Sequence, residues 1–242
     1  SLQNLLKEGP LKSQIREIEI SDLLGRKPVV LETEKIQEKI FNRSVLVTGG
    51  AGSIGSELCR QIALFRPQKL VIFDQAESDL FRIDTELRNL HKDLEIIPRI
   101  GDIRDSARID DVMSESNIEL VFHAAAYKHV PLMEAHILEA ALNNIVGTWN
   151  LVRSALSHNV DTFVTISSDK AVNPTNVMGA TKRISELIAA ACGTRNTTRF
   201  VSVRFGNVLG SNGSVVEIFK KQIASGGPIT IPHPDICRFF MT

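Results

Sequence analysis

The sequence predicts an α/β protein built on a doubly wound parallel sheet, and three observations lead there. From Ser44 onward, short β-branched runs alternate with stretches of helical periodicity. Those runs are apolar at nearly every position, as expected of strands covered by helices on both faces. The first of them is followed by Thr48-Gly49-Gly50-Ala51-Gly52-Ser53-Ile54-Gly55, a glycine-rich turn that opens a helical stretch.

In chain order, residues 1–43 read as a leader. Ile15-Arg16-Glu17-Ile18-Glu19-Ile20 alternates apolar and charged, predicting a short extended arm, and Ser21-Asp22-Leu23-Leu24-Gly25 is a turn. Thr33 is placed to cap a small helix carrying Ile36, Ile40 and Phe41 on one side. This segment is expected to be a connector that packs against a domain. Residues 44–242 then supply strands at Val45-Leu46-Val47, Leu70-Val71-Ile72-Phe73, Ile96-Ile97-Pro98-Arg99-Ile100, Leu120-Val121-Phe122, Thr162-Phe163-Val164-Thr165-Ile166 and Phe200-Val201-Ser202-Val203-Arg204. Helices fit 53–65, 75–90, 106–115, 132–158 (broken), 177–192 and 215–225, and Ile229-Thr230-Ile231 begins a further element. Repeats and low-complexity tracts are absent from the sequence.

Bulk properties exclude several function classes. Of 242 residues, 43% are hydrophobic and 23% charged, ordinary for a globular domain. Lys plus Arg and Asp plus Glu balance at 28 each, so no global field draws in nucleic acid or a membrane surface. An anionic ligand must be held by local geometry. Cys59, Cys192 and Cys237 are odd in number and far apart, which suits reduced thiols in a cytoplasmic setting and no metal site. No apolar run reaches the roughly 18 residues that suggest a membrane span, and no membrane contact is expected from this segment.

The glycine spacing is Gly-x-x-Gly-x-x-Gly. Gly49 permits the tight turn, Gly52 lets backbone approach a pyrophosphate, and Gly55 allows close helix–strand packing. The helix start at Ser53 and Ile54 offers N–H groups to phosphates. Asp74 ends the second strand, where a carboxylate accepts ribose hydroxyls and repels a 2′-phosphate, favouring NAD over NADP. Its bland alternative is a solvated turn. Asp102, followed by Ile103, closes the third strand and could meet an adenine edge.

A second cluster bears on chemistry. Val177-Met178-Gly179-Ala180-Thr181-Lys182 has the form of a Tyr-x-x-x-Lys helix start with the phenol replaced by a thioether, which exchanges no proton. Met178 is either core filler or packing for a ligand. Acid–base work must then come from Ser167-Ser168-Asp169-Lys170, a hydroxyl, carboxylate and amine in a row.

These motifs, with His123-Ala124-Ala125-Ala126 and Asn144-Ile145-Val146-Gly147-Thr148, resemble the extended short-chain dehydrogenase/reductases, with their Rossmann-type fold. Ala126-Tyr127-Lys128-His129-Val130-Pro131-Leu132-Met133-Glu134, 168–179 and Arg204-Phe205-Gly206-Asn207-Val208-Leu209-Gly210 are similar, more narrowly, to the UDP-N-acetylglucosamine 4,6-dehydratases of capsule and protein glycosylation. The resemblance implies bound NAD, with Ala124 and Ala125 among its contacts, and a UDP-sugar substrate. Oxidation at C4 acidifies the C5 proton, water leaves from C5 and C6, and the hydride returns to C6. Lys182 would bond the nicotinamide ribose and place positive charge near the reacting alcohol. Ser168, or else Ser167, would bond the 4-hydroxyl, Asp169 would protonate O6, and Lys170 would remove the C5 proton. To act as that base, Lys170 must first lose its own proton. Lys128 and His129 fall on the sugar side, and Arg204, Asn207 and Arg238 on the sugar and diphosphate. His123 is expected to bond to backbone and Asn144 to fix backbone near the site. The resemblance further implies a C-terminally truncated catalytic domain, with part of a substrate lobe. Its parent would sit at the cytoplasmic face of a bacterial inner membrane through upstream segments. It leaves a homo-oligomer open. Two other readings stay in play: a C4 epimerase of the same fold, and a non-catalytic NAD-binding module.

Overall fold

The computed structural model describes residues 32–193, 197–208, 215–231 and 239–241; the expected arm and turn within residues 15–25 lie outside them. Leu31–Gly206 forms one compact unit, and Asn207–Thr242 belongs to a second.

In the first unit, helix α1 (Thr33–Ile40) precedes strand β1 (Ser44–Thr48), α2 (Ser53–Leu64), β2 (Lys69–Asp74), α3 (Glu77–Leu90), β3 (Glu95–Ile100), α4 (Ser106–Ser116) and β4 (Leu120–His123). The chain continues through α5 (Val130–Ala135), α6 (Ile137–Ala141), a π-helical turn (Leu142–Val146) and α7 (Gly147–Ser157). It ends with β5 (Thr162–Ser168), a 3₁₀ turn (Asp169–Ala171), α8 (Val177–Gly193) and β6 (Arg199–Phe205). Every strand pairing in the unit is parallel, in the order β3-β2-β1-β4-β5-β6. This is the doubly wound, Rossmann-like sheet expected. The order reverses between β1 and β4, which opens a crevice beyond their carboxyl ends.

Alternation along each strand divides the core. Leu46, Val71, Phe73, Val121 and Phe163 pack under α4, α7 and α8 on one face. Val45, Val47, Leu70, Ile72 and Ile96 pack under α1, α2 and α3 on the other. Each fully buried aliphatic side chain contributes about 1.5–3 kcal/mol, so residues 45–47, all at or below 1% exposure, anchor the sheet.

Helix ends follow local chemistry. Asp105 caps α4 by accepting from the Arg108 N–H at 3.1 Å, and the helix stops at left-handed Asn117. Thr33, expected as a cap, is instead the first residue of α1; Glu32 precedes it and makes no side-chain cap. Ile40 is buried, but Phe41 is 55% exposed, because the backbone leaves the helix there. The stretch expected as one broken helix begins at Val130, breaks at His136 and winds through the π turn. Among the described residues no helix is long and apolar enough to cross a membrane.

In the second unit, β7 (Asn207–Val208) pairs in parallel with β8 (Phe240–Met241), and α9 spans Val215–Ala224.

Candidate active site

The crevice at the switch point is lined from the glycine loop outward. Gly49 has φ +66°, and a Cβ there would lie 2.5 Å from the Ala125 nitrogen. A Cβ on Gly55 would lie 2.0 Å from the Gly49 oxygen. These two glycines are demanded by the fold itself. Gly52 is different: its Cβ would meet only the Gly49 oxygen, at 3.3 Å, so its bareness serves the open cleft. It also precedes α2 without any side-chain cap, leaving first-turn N–H groups without intrahelical partners. A diphosphate fits that cradle by chemistry and by space.

Two cavities share Gly49, Gly52, Ala124, Ala126 and Tyr127. One, of about 220 Å³, is lined by Asp74, Asp102, Ile103 and Ala125 as well. The other, of about 540 Å³, adds Ser53, Ile54, Gly55, Lys128 and His129. His136 and Glu139 also line it, contributions from α6 and its approach that no motif marked. The Asp74 carboxylate accepts from the Ala51 and Ala76 N–H groups, each at 2.9 Å, so it braces the glycine loop while facing the cavity. Asp102 is ion-paired: Arg104 donates to it through Nε at 2.8 Å and Nη2 at 2.6 Å, which holds its carboxyl below the usual range.

Behind the cleft runs a buried polar network. His123 was expected to bond to backbone; instead its Nδ1 meets the Thr48 hydroxyl at 2.8 Å and its Nε2 the Thr148 hydroxyl at 2.9 Å. Burial, aided by the charge of Lys182, pushes His123 down to about 3, so the ring is neutral near pH 7. Asn144, on the π turn, clamps Tyr127 by both backbone groups, at 2.8 and 3.0 Å, and donates to the Thr181 hydroxyl at 3.0 Å. It does fix backbone beside the cleft.

The second cluster sits at the end of β5. Adjacent strand residues point opposite ways, and the two serines divide accordingly. Ser167 is buried and donates to Glu186 at 2.5 Å. Ser168 donates to Asp169 Oδ1 at 2.9 Å, and Lys170 Nζ donates to the same oxygen at 3.0 Å. The pair is half-buried, with side chains 26% and 21% exposed. Burial raises the Asp169 carboxyl, but the hydrogen bonds from Lys170 and Ser168 and the lysine charge outweigh it, leaving the group below the ordinary range. Lys182 is buried, donates to the Ile166 carbonyl at 2.8 Å, and is brought down to about 8 by burial against the opposing pull of Glu186. A Cβ on Gly179 would lie 2.4 Å from the Lys170 oxygen, so glycine lets the first turn of α8 abut this loop. Met178 is 4% exposed in a small apolar cluster with Met133 and Ala140, against which Tyr127 packs. Neither it nor Ser168, Asp169, Lys170 or Lys182 lines the two cavities.

The Arg204 guanidinium is engaged within the unit, donating to Glu186 through Nε at 2.7 Å and Nη2 at 2.5 Å. The Asn207 amide is likewise engaged, donating to the Phe239 carbonyl at 3.0 Å within the second unit. Arg238 lies outside the described residues. Cys59 is buried and Cys192 half-buried, and neither is in a disulfide. Among the described residues no group of three or more His, Cys, Asp or Glu is placed to hold a metal.

A family model described as "Polysaccharide biosynthesis protein" matches residues 45–242. The capsular polysaccharide biosynthesis protein CapD of Staphylococcus aureus is 50% identical over 232 residues, 95% of this chain and 39% of that protein. An inverting UDP-N-acetylglucosamine 4,6-dehydratase of Campylobacter jejuni is 37% identical over 209 residues, 84% of this chain and 61% of that protein. A UDP-glucose 4-epimerase of Rickettsia bellii is 36% identical over 208 residues, 83% and 59%. The X-ray structure of Pen from Bacillus thuringiensis superposes with a TM-score of 0.78 at 37% identity, covering 84% of this chain and 62% of that one. The chain thus spans between two fifths and just over three fifths of these proteins' lengths. With its switch-point crevice, glycine loop and parallel sheet, and a family match over most of its length, the chain belongs to the polysaccharide biosynthesis protein family, on an extended short-chain dehydrogenase/reductase fold.

Proposed function

We propose that this chain is the NAD-binding, nucleotide-sugar-modifying part of a surface-polysaccharide enzyme, and that it carries out 4,6-dehydration of a UDP-N-acetylhexosamine. Gly49, Gly52, Ser53, Ile54, Gly55, Asp74, Asp102, Ile103, Ala124 and Ala125 would hold the dinucleotide along the two joined cavities. When bound, NAD supplies a hydride acceptor for C4 that returns the hydride to C6.

The observation that carries the dehydratase reading is the half-buried Ser168–Asp169–Lys170 cluster, with two donors converging on one carboxylate oxygen. Dehydration needs an acid for O6 and a base for the C5 proton besides handling of the 4-hydroxyl proton; C4 epimerisation needs only the last. Asp169, held below the usual carboxylate range, is ionised at neutral pH and can accept the 4-hydroxyl proton. It then delivers that proton to O6 as the C6–O bond breaks. Lys170, whose ammonium must first release a proton to solvent, then removes the C5 proton as the neutral amine and returns it to C5 once hydride has reached C6. Ser168 orients the 4-hydroxyl, Lys182 bonds the nicotinamide ribose, and Lys128 and His129 approach the sugar.

The epimerase at 36% identity is the second reading. Incubating the intact protein with NAD and UDP-N-acetylglucosamine separates the two by mass spectrometry and NMR. Loss of one water with a 4-keto, 6-deoxy product is expected. A C4 epimer of unchanged mass would establish the other reading, and neither product nor bound NADH would leave a non-catalytic NAD module.

A further inference from the structure

The buried carboxylate of Glu186 has no place in the acid–base scheme above, and its surroundings assign it one. It lies on α8 one turn beyond Lys182, its side chain 5% exposed. Four hydrogen bonds converge on it. Ser167 donates at 2.5 Å, Arg204 twice at 2.7 and 2.5 Å, and Arg183 at 3.0 Å. So many donors keep a buried carboxylate charged: burial raises it, yet the bonds from Arg204, Ser167 and Arg183 bring it down to about 2.

The contacts form a series along one helix. Gly179 abuts the Lys170 carbonyl, Lys182 donates to the Ile166 carbonyl, and Glu186 accepts from Ser167. Successive turns of α8 thus grip the end of β5 on both sides of the point where Ser168, Asp169 and Lys170 begin. We propose that Glu186 is the positioning residue of this site. Through Ser167 it sets the Ser168–Lys170 loop against α8, and as a fixed anion it keeps the Lys182 ammonium charged. Arg204 and Arg183 hold it in place. This rests on the reading of Ser168, Asp169, Lys170 and Lys182 as the reacting groups.

Among the described residues few groups bear on Lys182. Glu186 on its own helix favours the ammonium, and His123 of β4 faces it as a neutral ring. Thr148 of α7 bonds that ring and Asn144 of the π turn bonds Thr181 on the helix of Lys182, and both are uncharged. Arg204 of β6 spends its charge on Glu186, and Glu134 of α5 accepts from the Val177 N–H at the start of the helix.

Two readouts on the intact protein separate positioning from folding. The first is NMR titration of the ¹⁵N-labelled Lys182 amine, assigned by its loss in Lys182→Arg. The wild-type signal titrates near 8; Glu186→Gln moves it lower, Glu186→Asp restores it, and Ser167→Ala leaves it in place. The second is turnover of UDP-N-acetylglucosamine with NAD affinity measured alongside. Ser167→Ala and Glu186→Asp lower kcat by about 10- to 100-fold, the range expected of sub-ångström to 1 Å misplacement, with KM and NAD affinity unchanged. Glu186→Asp therefore rescues the titration without the turnover, a split that a purely structural residue does not give. Wild-type titration in Glu186→Gln, or wild-type kcat in Ser167→Ala, overturns the inference. Should Glu186→Gln not fold, Glu186→Asp and Ser167→Ala decide it. Should the wild-type protein make no dehydrated product, the proposed reaction fails, while the titration still tests Glu186.

Discussion

The glycine loop allows the cofactor reading to be tested by two substitutions of the same size and opposite effect. In Gly55→Ala the new methyl would lie 2.0 Å from the Gly49 oxygen, 2.7 Å from its carbonyl carbon and 2.8 Å from Gly50 Cα. All three are backbone atoms, so relief requires the loop to open. Overpacking of this kind costs about 3 kcal/mol, the top of the usual range. For a domain of this size that lowers Tm by about 6–12 °C. In Gly52→Ala the only neighbour is the Gly49 oxygen at 3.3 Å, and φ −72°, ψ 171° suits any residue. The apo protein should then melt within about 2 °C of wild type, the cost or gain staying near 0.5 kcal/mol. The methyl projects into the cleft where a diphosphate would meet the start of α2. Losing one or two charge-assisted hydrogen bonds there costs about 3 kcal/mol, over a hundredfold in Kd. Calorimetric titration with NAD, and melting with and without it, read both quantities. A Gly52→Ala protein that binds NAD within threefold of wild type would refute the placement of the diphosphate on this loop.

Four further expectations follow from the same geometry. Asp169→Asn should abolish both bound-NADH formation and water loss; NADH accumulating with the UDP-sugar would remove Asp169 from the first proton transfer. His123 has its folded pKa depressed from 6.5 to about 3, so the unfolded chain takes up the proton first as pH falls. Stability is lost progressively from about pH 6.5 down to about 3, by roughly 4–5 kcal/mol in all. Denaturant titrations across that range should show a flatter acid limb in His123→Gln. Activity that depends on the charged Lys182 is present below about pH 8 and lost as pH rises through it, a limb that a kcat profile would reveal. Met178→Tyr should recover no activity and cost about 1–3 kcal/mol by overpacking, because the residue fills the cluster with Met133 and Ala140; a faster enzyme would contradict its burial.

The sheet and the cofactor loop were legible along the chain because their signals are local. A run such as Leu70-Val71-Ile72-Phe73 can be read as a strand covered on both faces without its partners. Gly49, Gly55 and Asp74 are recognisable because a tight turn, a close helix–strand approach and a strand-end acid each demand a residue type at a fixed offset. Clusters built by distant segments were not legible. The choice between Ser167 and Ser168 waits on which face of β5 meets α8. Arg204 gave no sign along the chain that it would pair with Glu186, since an arginine near a strand end is equally suited to a carboxylate or to a ligand's phosphate. His123 gave no sign that it would hold the hydroxyls of Thr48 and Thr148, residues 75 and 25 positions away. What the sequence determined by itself was the α/β fold and the glycine cradle, both written in short-range spacing. Only the tertiary structure decided which polar side chains are spent on one another and which remain turned toward the cleft, because hydrogen-bond partners are chosen by packing and not by order in the chain.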